Sequence, residues 1–139
     1  MSEFKKTILA SGADIDSAKS PASEETIRLV ESALGTSLGR QLKEYLMEFG
    51  YLGCGPIEFY GVNEIQKEKS DLVKTSQMLR NVSGVLSGYV AIECIGDDLY
   101  AMCDSEDKMY KVVLADGVRV QPMNMNLLRY AVKRLNSQL

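Results

Sequence analysis

The hydrophobic period of this chain changes once, and that change limits its architecture more than any other feature. The runs Gly88 to Ile95, Leu99 to Cys103, Met109 to Ala115 and Val118 to Met123 are separated by Gly-Asp-Asp, Asp-Ser-Glu-Asp and Asp-Gly. Short β-rich runs divided by turn residues predict an antiparallel meander of four or more strands. Asp116-Gly117 is its strongest hairpin signal, because both central positions of a type I′ turn need positive φ. That turn would pair Val113 with Val120 and Ala115 with Val118. Pro122 has no N–H to donate and marks a strand end or a sheet edge.

Upstream of the change the spacing is helical. Ser2 can cap a first helix over residues 1–10, on which Phe4 and Ile8 share a face. Residues 11–20 lack apolar periodicity and read as a connection. A second helix starts at Ser20-Pro21 or Ser23, carries Glu24 and Glu25 at its positive end, buries Ile27, Val30 and Leu34, and closes at Gly35. A third carries Leu38, Leu42, Tyr45, Leu46 and Phe49, with Gly50 as its C′ residue. Residues 51–61 form a loop running into a short strand at Ile57 to Tyr60, and residues 63–69 a polar connection. A fourth helix covers Asp71 to Val82 with Ser70 as its cap, and Asn126 caps a last helix bearing Leu127, Leu128, Ala131 and Leu135.

Helices first and a meander afterwards make the class α+β, with N-terminal helices, an antiparallel meander sheet carrying helices on one face, and a C-terminal helix. Residues 1–20 read as an N-terminal helix and loop extension, and residues 21–139 as a single domain. A hydrophobic content of 45% in 139 residues is enough for one ordinary core. No apolar run approaches the roughly 20 residues that cross a bilayer, and the first residues lack the basic and apolar regions of a signal peptide. The expected location is therefore the cytoplasm, with no membrane contact. Cys54, Cys94 and Cys103 fit it: they are odd in number, lie 40 and 9 residues apart, and read as buried free thiols.

A net charge of -3 argues against direct nucleic-acid binding, which needs clustered Lys and Arg. Its distribution is uneven. Residues 81–107 hold 6 acidic and no basic side chains, and residues 108–139 hold 6 basic and 1 acidic. The chain has 0 histidines, which removes the usual proton shuttle and the commonest nitrogen ligand for metals. Cys54, within Gly53-Cys54-Gly55-Pro56, has two readings, a nucleophile in a flexible loop or part of a structural turn. The nearby glycines are not followed by Gly-Lys-Ser/Thr, so they make no phosphate loop. The methionines of the β half, Met102, Met123 and Met125, read as core filling or as an adaptable binding surface. No catalytic residue, metal or cofactor is expected.

The acidic block Glu93, Asp97, Asp98, Asp104, Glu106 and Asp107 looks like one patch in the linear sequence. A meander divides it, because successive turns lie at opposite sheet ends, roughly 17 Å apart for strands of about five residues. Asp97 and Asp98 then neighbour Asp116, and Asp104, Glu106 and Asp107 form the other end. Turn chemistry alone favours Asp at most of these positions. The alternative is an acidic surface complementary to a basic partner. A calcium loop is a third reading, but Asp104-Ser105-Glu106-Asp107 lacks the spaced ligands and glycine. A hairpin turning at Asp97-Asp98 puts Tyr89, Glu93, Ile95, Tyr100 and Met102 on one face and Ile92, Cys94, Ala101 and Cys103 on the other. The first face reads as the recognition surface. The candidate partner-binding residues are therefore Glu93, Asp97, Asp98, Tyr100, Met102, Asp104, Glu106 and Asp107.

The order of elements resembles the SUKH superfamily, which includes bacterial immunity proteins and fungal regulators of cell-wall glucan synthesis. The resemblance lies in Ile27 to Leu34, Leu38 to Gly50, the Gly-rich segment leading to Ile57-Glu58-Phe59-Tyr60-Gly61, Tyr89 to Tyr110, and the helix Asn126 to Leu135. It covers roughly Pro21 to Leu135. Members often open the third helix with Leu-Pro, where this chain has Leu38-Gly39. The resemblance implies a non-catalytic binding protein, in the bacterial case a cytoplasmic antidote that neutralises a toxin, commonly a basic nuclease domain. It also leaves open a regulatory scaffold in cell-wall or stress signalling. A small enzyme using Cys54 is a third reading from the residues alone.

Overall fold

A computed structural model describes residues 2–18, 21–62 and 71–137. The first half supplies α1 (Glu3–Ala10), β1 (Asp16–Ser17), α2 (Glu24–Leu34), α3 (Arg40–Glu48), β2 (Leu52–Cys54), β3 (Ile57–Phe59) and α4 (Leu72–Val82). A 3-10 segment, Gly84–Gly88, leads to β4 (Val90–Gly96), β5 (Leu99–Cys103), β6 (Lys108–Val113), β7 (Arg119–Asn126) and α5 (Leu127–Asn136). The class is α+β. The described residues form two antiparallel sheets, β1-β2-β3 and the meander β4-β5-β6-β7.

Local chemistry sets the helix starts. The side chains of Ser2, Ser23 and Asn126 accept from the N–H groups of Lys5, Thr26 and Arg129, as side-chain oxygens at these positions should. α4 is capped by Asp71, which accepts from Lys74 N–H; Ser70 and the connection over 63–69 lie outside the described residues. Gly35, at φ 62, ends α2 in the left-handed conformation that glycine adopts without strain. Phe4 and Ile8 of α1 are buried in the same core as Leu42, Tyr45, Leu46 and Phe59, so the N-terminal segment packs with the rest. β1 and β2 were not foreseen: Asp16 pairs with Gly53, Ser17 with Leu52, and Cys54 with Ile57 across a turn in which Gly55 has φ 58.

The two sheets meet where Tyr60 N–H donates to the Ile92 carbonyl at 2.7 Å. α4 packs on β4, with the Ser76 hydroxyl donating to the Leu72 carbonyl and accepting from Ala91 N–H at 2.9 Å. α5 packs against β6 and β7, and its Tyr130 and Arg134 reach Glu93 of β4.

The meander's register departs from simple alternation. Gly96 faces Leu99 as expected, but Cys94 then pairs with Tyr100, Glu93 with Ala101 and Ala91 with Met102. Ile95 and Ile92 are bulged out of the ladder, and each extra residue flips the following side chains to the other face. Glu93 therefore shares its face with Ala101, not with Tyr100 and Met102, which corrects the two-face assignment. Ala101, Met102 and Cys103 are consecutive and all 0% exposed, so the C-terminal part of β5 is covered on both faces rather than one.

The β6–β7 hairpin is also longer than a two-residue turn. Asp116 and Gly117 do take positive φ, 57 and 97, but Val113 pairs with Arg119 and Val112 with Val120. Leu114 N–H leaves the ladder to donate to the Asp98 carbonyl of the neighbouring turn at 2.8 Å, which moves the register by one.

Candidate functional site

The eight candidate residues divide by what their side chains touch. Asp107, in the β5–β6 turn at φ 63, is buried. Its carboxylate accepts from Gln41 N–H at 2.9 Å and Leu42 N–H at 3.1 Å, and its carbonyl accepts from Leu127 N–H at 2.8 Å. The Gln41 side-chain oxygen in turn accepts from Leu128 N–H at 2.9 Å. One turn thus holds the N-termini of α3 and α5, satisfying donors that a helix start leaves free and placing negative charge at the positive end of α3. α3 has no cap of its own because Gly39 stands at that position. A Cβ there would lie 2.2 Å from the Asp107 carboxylate, which gives the departure from Leu-Pro at Leu38-Gly39 a steric reason.

Asp104 is spent on its own turn. Its carboxylate accepts from Glu106 N–H, Lys108 N–H and the Tyr110 hydroxyl at 2.9, 3.0 and 2.9 Å. The bond to Asp104 holds the Tyr110 hydroxyl above its ordinary pKa. Glu93 is 2% exposed and accepts from the Tyr130 hydroxyl at 2.5 Å and from Arg134 Nε and Nη2 at 3.0 and 2.7 Å. A buried carboxylate needs such a partner, and the forked guanidinium supplies it with both oxygens engaged. The Glu93 bond raises the pKa of Arg134, while burial, followed by the Glu93 charge, raises that of Tyr130.

Burial therefore takes Glu93 and Met102 off the face on which alternation had put them and Asp107 off the sheet end, and Asp104 is bonded within its turn. Asp97, Asp98 and Glu106 are exposed, and Tyr100 is half-buried. Burial, then Cys94 and Asp98, pushes the Tyr100 hydroxyl upward. The register Gly96, Leu99, Val113, Arg119 across the strands sets Asp97 and Asp98 beside the turn carrying exposed Asp116.

The sequence reading missed the Glu93–Tyr130–Arg134 cluster. Its signal was a lone acidic residue inside the apolar run Val90-Ala91-Ile92-Glu93-Cys94-Ile95, since carboxylates enter such runs only with a partner. Also unforeseen is a cleft of about 450 Å³ between β6, β7 and α5, lined by Lys111, Met123, Met125, Tyr130, Lys133 and Arg134. Of the thiols, Cys54 and Cys103 are buried, but Cys94 is exposed, a consequence of the bulge that turns it outward with Tyr100. Among the described residues no three His, Cys, Asp or Glu side chains converge as metal ligands, and no helix is long and apolar enough to cross a membrane.

Two helices, a Gly-rich segment, the strands from Tyr89 to Tyr110 and the last helix are the parts that carried the resemblance, and a family model covers all of them except that last helix. The SUKH_5 model, described as SMI1-KNR4 cell-wall, matches residues 1–122. The chain belongs to the SUKH family. The match begins at residue 1, so it takes in α1 and β1 as well as the segment from Pro21 onward. SUKH membership implies binding to other proteins, and it fits either an immunity-like or an SMI1/KNR4-like role. No curated protein matches the sequence.

Proposed function

We propose that this SUKH domain is a non-catalytic immunity-type protein of the cytoplasm that neutralises a cognate toxin by direct contact. The observation that supports it is the grouping of three solvent-exposed carboxylates, Asp97, Asp98 and Asp116, at one end of the four-stranded sheet beside half-buried Tyr100. Free carboxylates next to an aromatic ring suit a basic protein face, and a nuclease that grips phosphate is such a face. The acids speed encounter, and Tyr100 supplies contact area with a polar tip. Glu106, exposed at the other sheet end, belongs to the rim of this reading and not to its centre.

Where the neighbouring reading frame encodes a toxin-like protein, its product is the titrant. The combined charge reversal Asp97→Lys, Asp98→Lys and Asp116→Lys should slow association about tenfold at low salt and leave the thermal transition in place. An unchanged association rate at low salt would remove the basis for this surface.

The description of the matched family favours a second reading, a regulatory scaffold in cell-wall signalling. A pull-down from the native host separates the two: recovery of the neighbouring toxin-like product supports immunity, and recovery of cell-wall synthesis regulators supports the scaffold. Cys54 is buried at the end of β2 in a hairpin, so Cys54→Ser should leave either binding function intact.

A further inference from the structure

The cationic C-terminal quarter of the chain is not used by the acidic sheet end, and the structure gathers part of it around one cleft. β7 is the outer strand of its sheet, with no strand beyond it among the described residues. Between Tyr110↔Pro122 and Lys108↔Asn126 the β7 side carries three residues, Met123 to Met125, against Met109 alone, and Asn124 takes φ 59. An excursion of this kind bends a strand and re-aims its side chains. Here Met123 and Met125 both come to line the cleft against Tyr130 of α5. Methionine is unbranched and polarisable, so such a floor adapts to apolar side chains of varied shape.

The rim carries charge. Lys111 on β6 and Lys133 on α5 border the cleft and form no ion pair among the described residues, whereas Arg134 is held by Glu93. Arg129 stands one helical turn before Lys133 on the same side of α5 and is exposed. A second depression of about 420 Å³ adjoins the first and shares Pro122 and Met125 with it, continuing towards Tyr110 and Lys108. Two joined depressions along an outer strand suit an extended chain better than a compact molecule.

We infer that the cleft between β7 and α5 is a second contact surface, which takes an extended acidic segment of a partner protein with apolar side chains on the Met123–Met125 floor and carboxylates at Lys111 and Lys133. Its sign is opposite to that of the Asp97–Asp98–Asp116 end, so it selects a different part of a partner or a different partner. It does not rest on the toxin reading.

Two dye-labelled peptides test it by fluorescence polarisation on the intact protein, one alternating Glu with Leu and one alternating Lys with Leu. The Glu-Leu peptide should bind at low salt and the Lys-Leu peptide should not. The double variant Lys111→Glu with Lys133→Glu should weaken the Glu-Leu peptide at least about tenfold, because half-buried Lys111 and exposed Lys133 both line the cleft and the rim changes sign. Met123→Lys should weaken it too, while Asp97→Lys with Asp98→Lys should leave it unchanged. Thermal scans of each variant establish that the fold persists. Equal binding of both peptides, or no response to the Lys111 and Lys133 reversals, would overturn the inference. So would decanoate displacing the Glu-Leu peptide as well as an unlabelled copy does, since the cleft would then be a small-molecule site. Self-association in sedimentation that the same reversals abolish would also overturn it, in favour of a second copy as occupant.

Discussion

Two acidic turns of the same sheet, Asp97-Asp98 and Asp104 to Asp107, look alike in the sequence and end in opposite conditions. Both place an aspartate at positive φ, 54 for Asp98 and 63 for Asp107. The second turn lands against the N-termini of α3 and α5, where backbone N–H groups lack partners, and the Asp107 carboxylate is drawn in to satisfy those of α3 while its carbonyl takes one from α5. The first lands beside another turn, whose Leu114 N–H takes the Asp98 carbonyl and leaves the carboxylate in water. Turn chemistry decides that an aspartate is tolerated. What the turn meets in three dimensions decides whether its charge holds the fold or remains free for a partner.

High pH should break the bonded set first and most completely. Tyr130 and Tyr110 donate to Glu93 and Asp104, and burial of Tyr45, Tyr60 and Cys103 raises their pKa values as well. A raised folded pKa means that the unfolded chain loses its proton first. The stability these tyrosines carry is therefore fully present below their ordinary value of 10.0 and is lost progressively as pH climbs above it. Denaturation midpoints measured from neutral pH upward should stay level to 9.0, where the unfolded Cys103 thiol begins to lose its proton, and fall more steeply beyond the tyrosines' 10.0.

Removing the Glu93 carboxylate comes next. Glu93→Ala leaves Arg134 and the Tyr130 hydroxyl without their acceptor, at a cost of about 3 kcal/mol, the lower part of the range for a broken buried pair because Arg134 is partly exposed. Asp107→Ala should follow at about 2 kcal/mol, since it strips the cap from α3. Gly39→Ala probes the same contact from the other side, by forcing a methyl group onto the Asp107 carboxylate. Asp104→Ala, which loses bonds within an exposed turn, should cost about 1 kcal/mol. Urea denaturation at pH 7 measures all of these, and a result in which Asp107→Ala is silent would erase the distinction between the two turns.

The sequence was most legible where structure is set by neighbours in the chain. Ser2, Ser23 and Asn126 cap helices because their oxygens reach N–H groups three residues on, and β5 was delimited as found, because its bounds are turn residues. Register was less legible. Ile92 bulges where its carbonyl is taken by Tyr60 N–H from the other sheet, a contact that alternation along β4 cannot anticipate. The candidate site suffered from the same distance. Glu93 meets Arg134 41 residues later, and Asp107 caps a helix start 66 residues earlier, so both read as surface acids until the chain is folded. The cleft was legible only as a charge imbalance, with 6 basic residues and 1 acidic residue in 108–139 and no indication that a β7 excursion would turn two methionines into its floor.

The smallest effect on stability is the one that sharpens the comparison most. Asp97→Lys with Asp98→Lys should shift the unfolding free energy by no more than about 0.5 kcal/mol, the usual range for surface changes away from structural bonds. Neither carboxylate is buried, and the backbone bond from Leu114 to Asp98 does not involve the side chain. Replacing Asp98 does put a longer side chain at positive φ, where aspartate and asparagine are better tolerated. Asp98→Asn therefore serves as the control that removes charge and keeps the turn. If Asp98→Asn is silent and Asp98→Lys is not, the loss belongs to backbone conformation and not to charge. If both are silent in urea denaturation while association with a basic partner slows at low salt and recovers little of its salt dependence, the Asp97-Asp98 turn is free to contact a partner, as the bonded carboxylates of Asp104 and Asp107 are not.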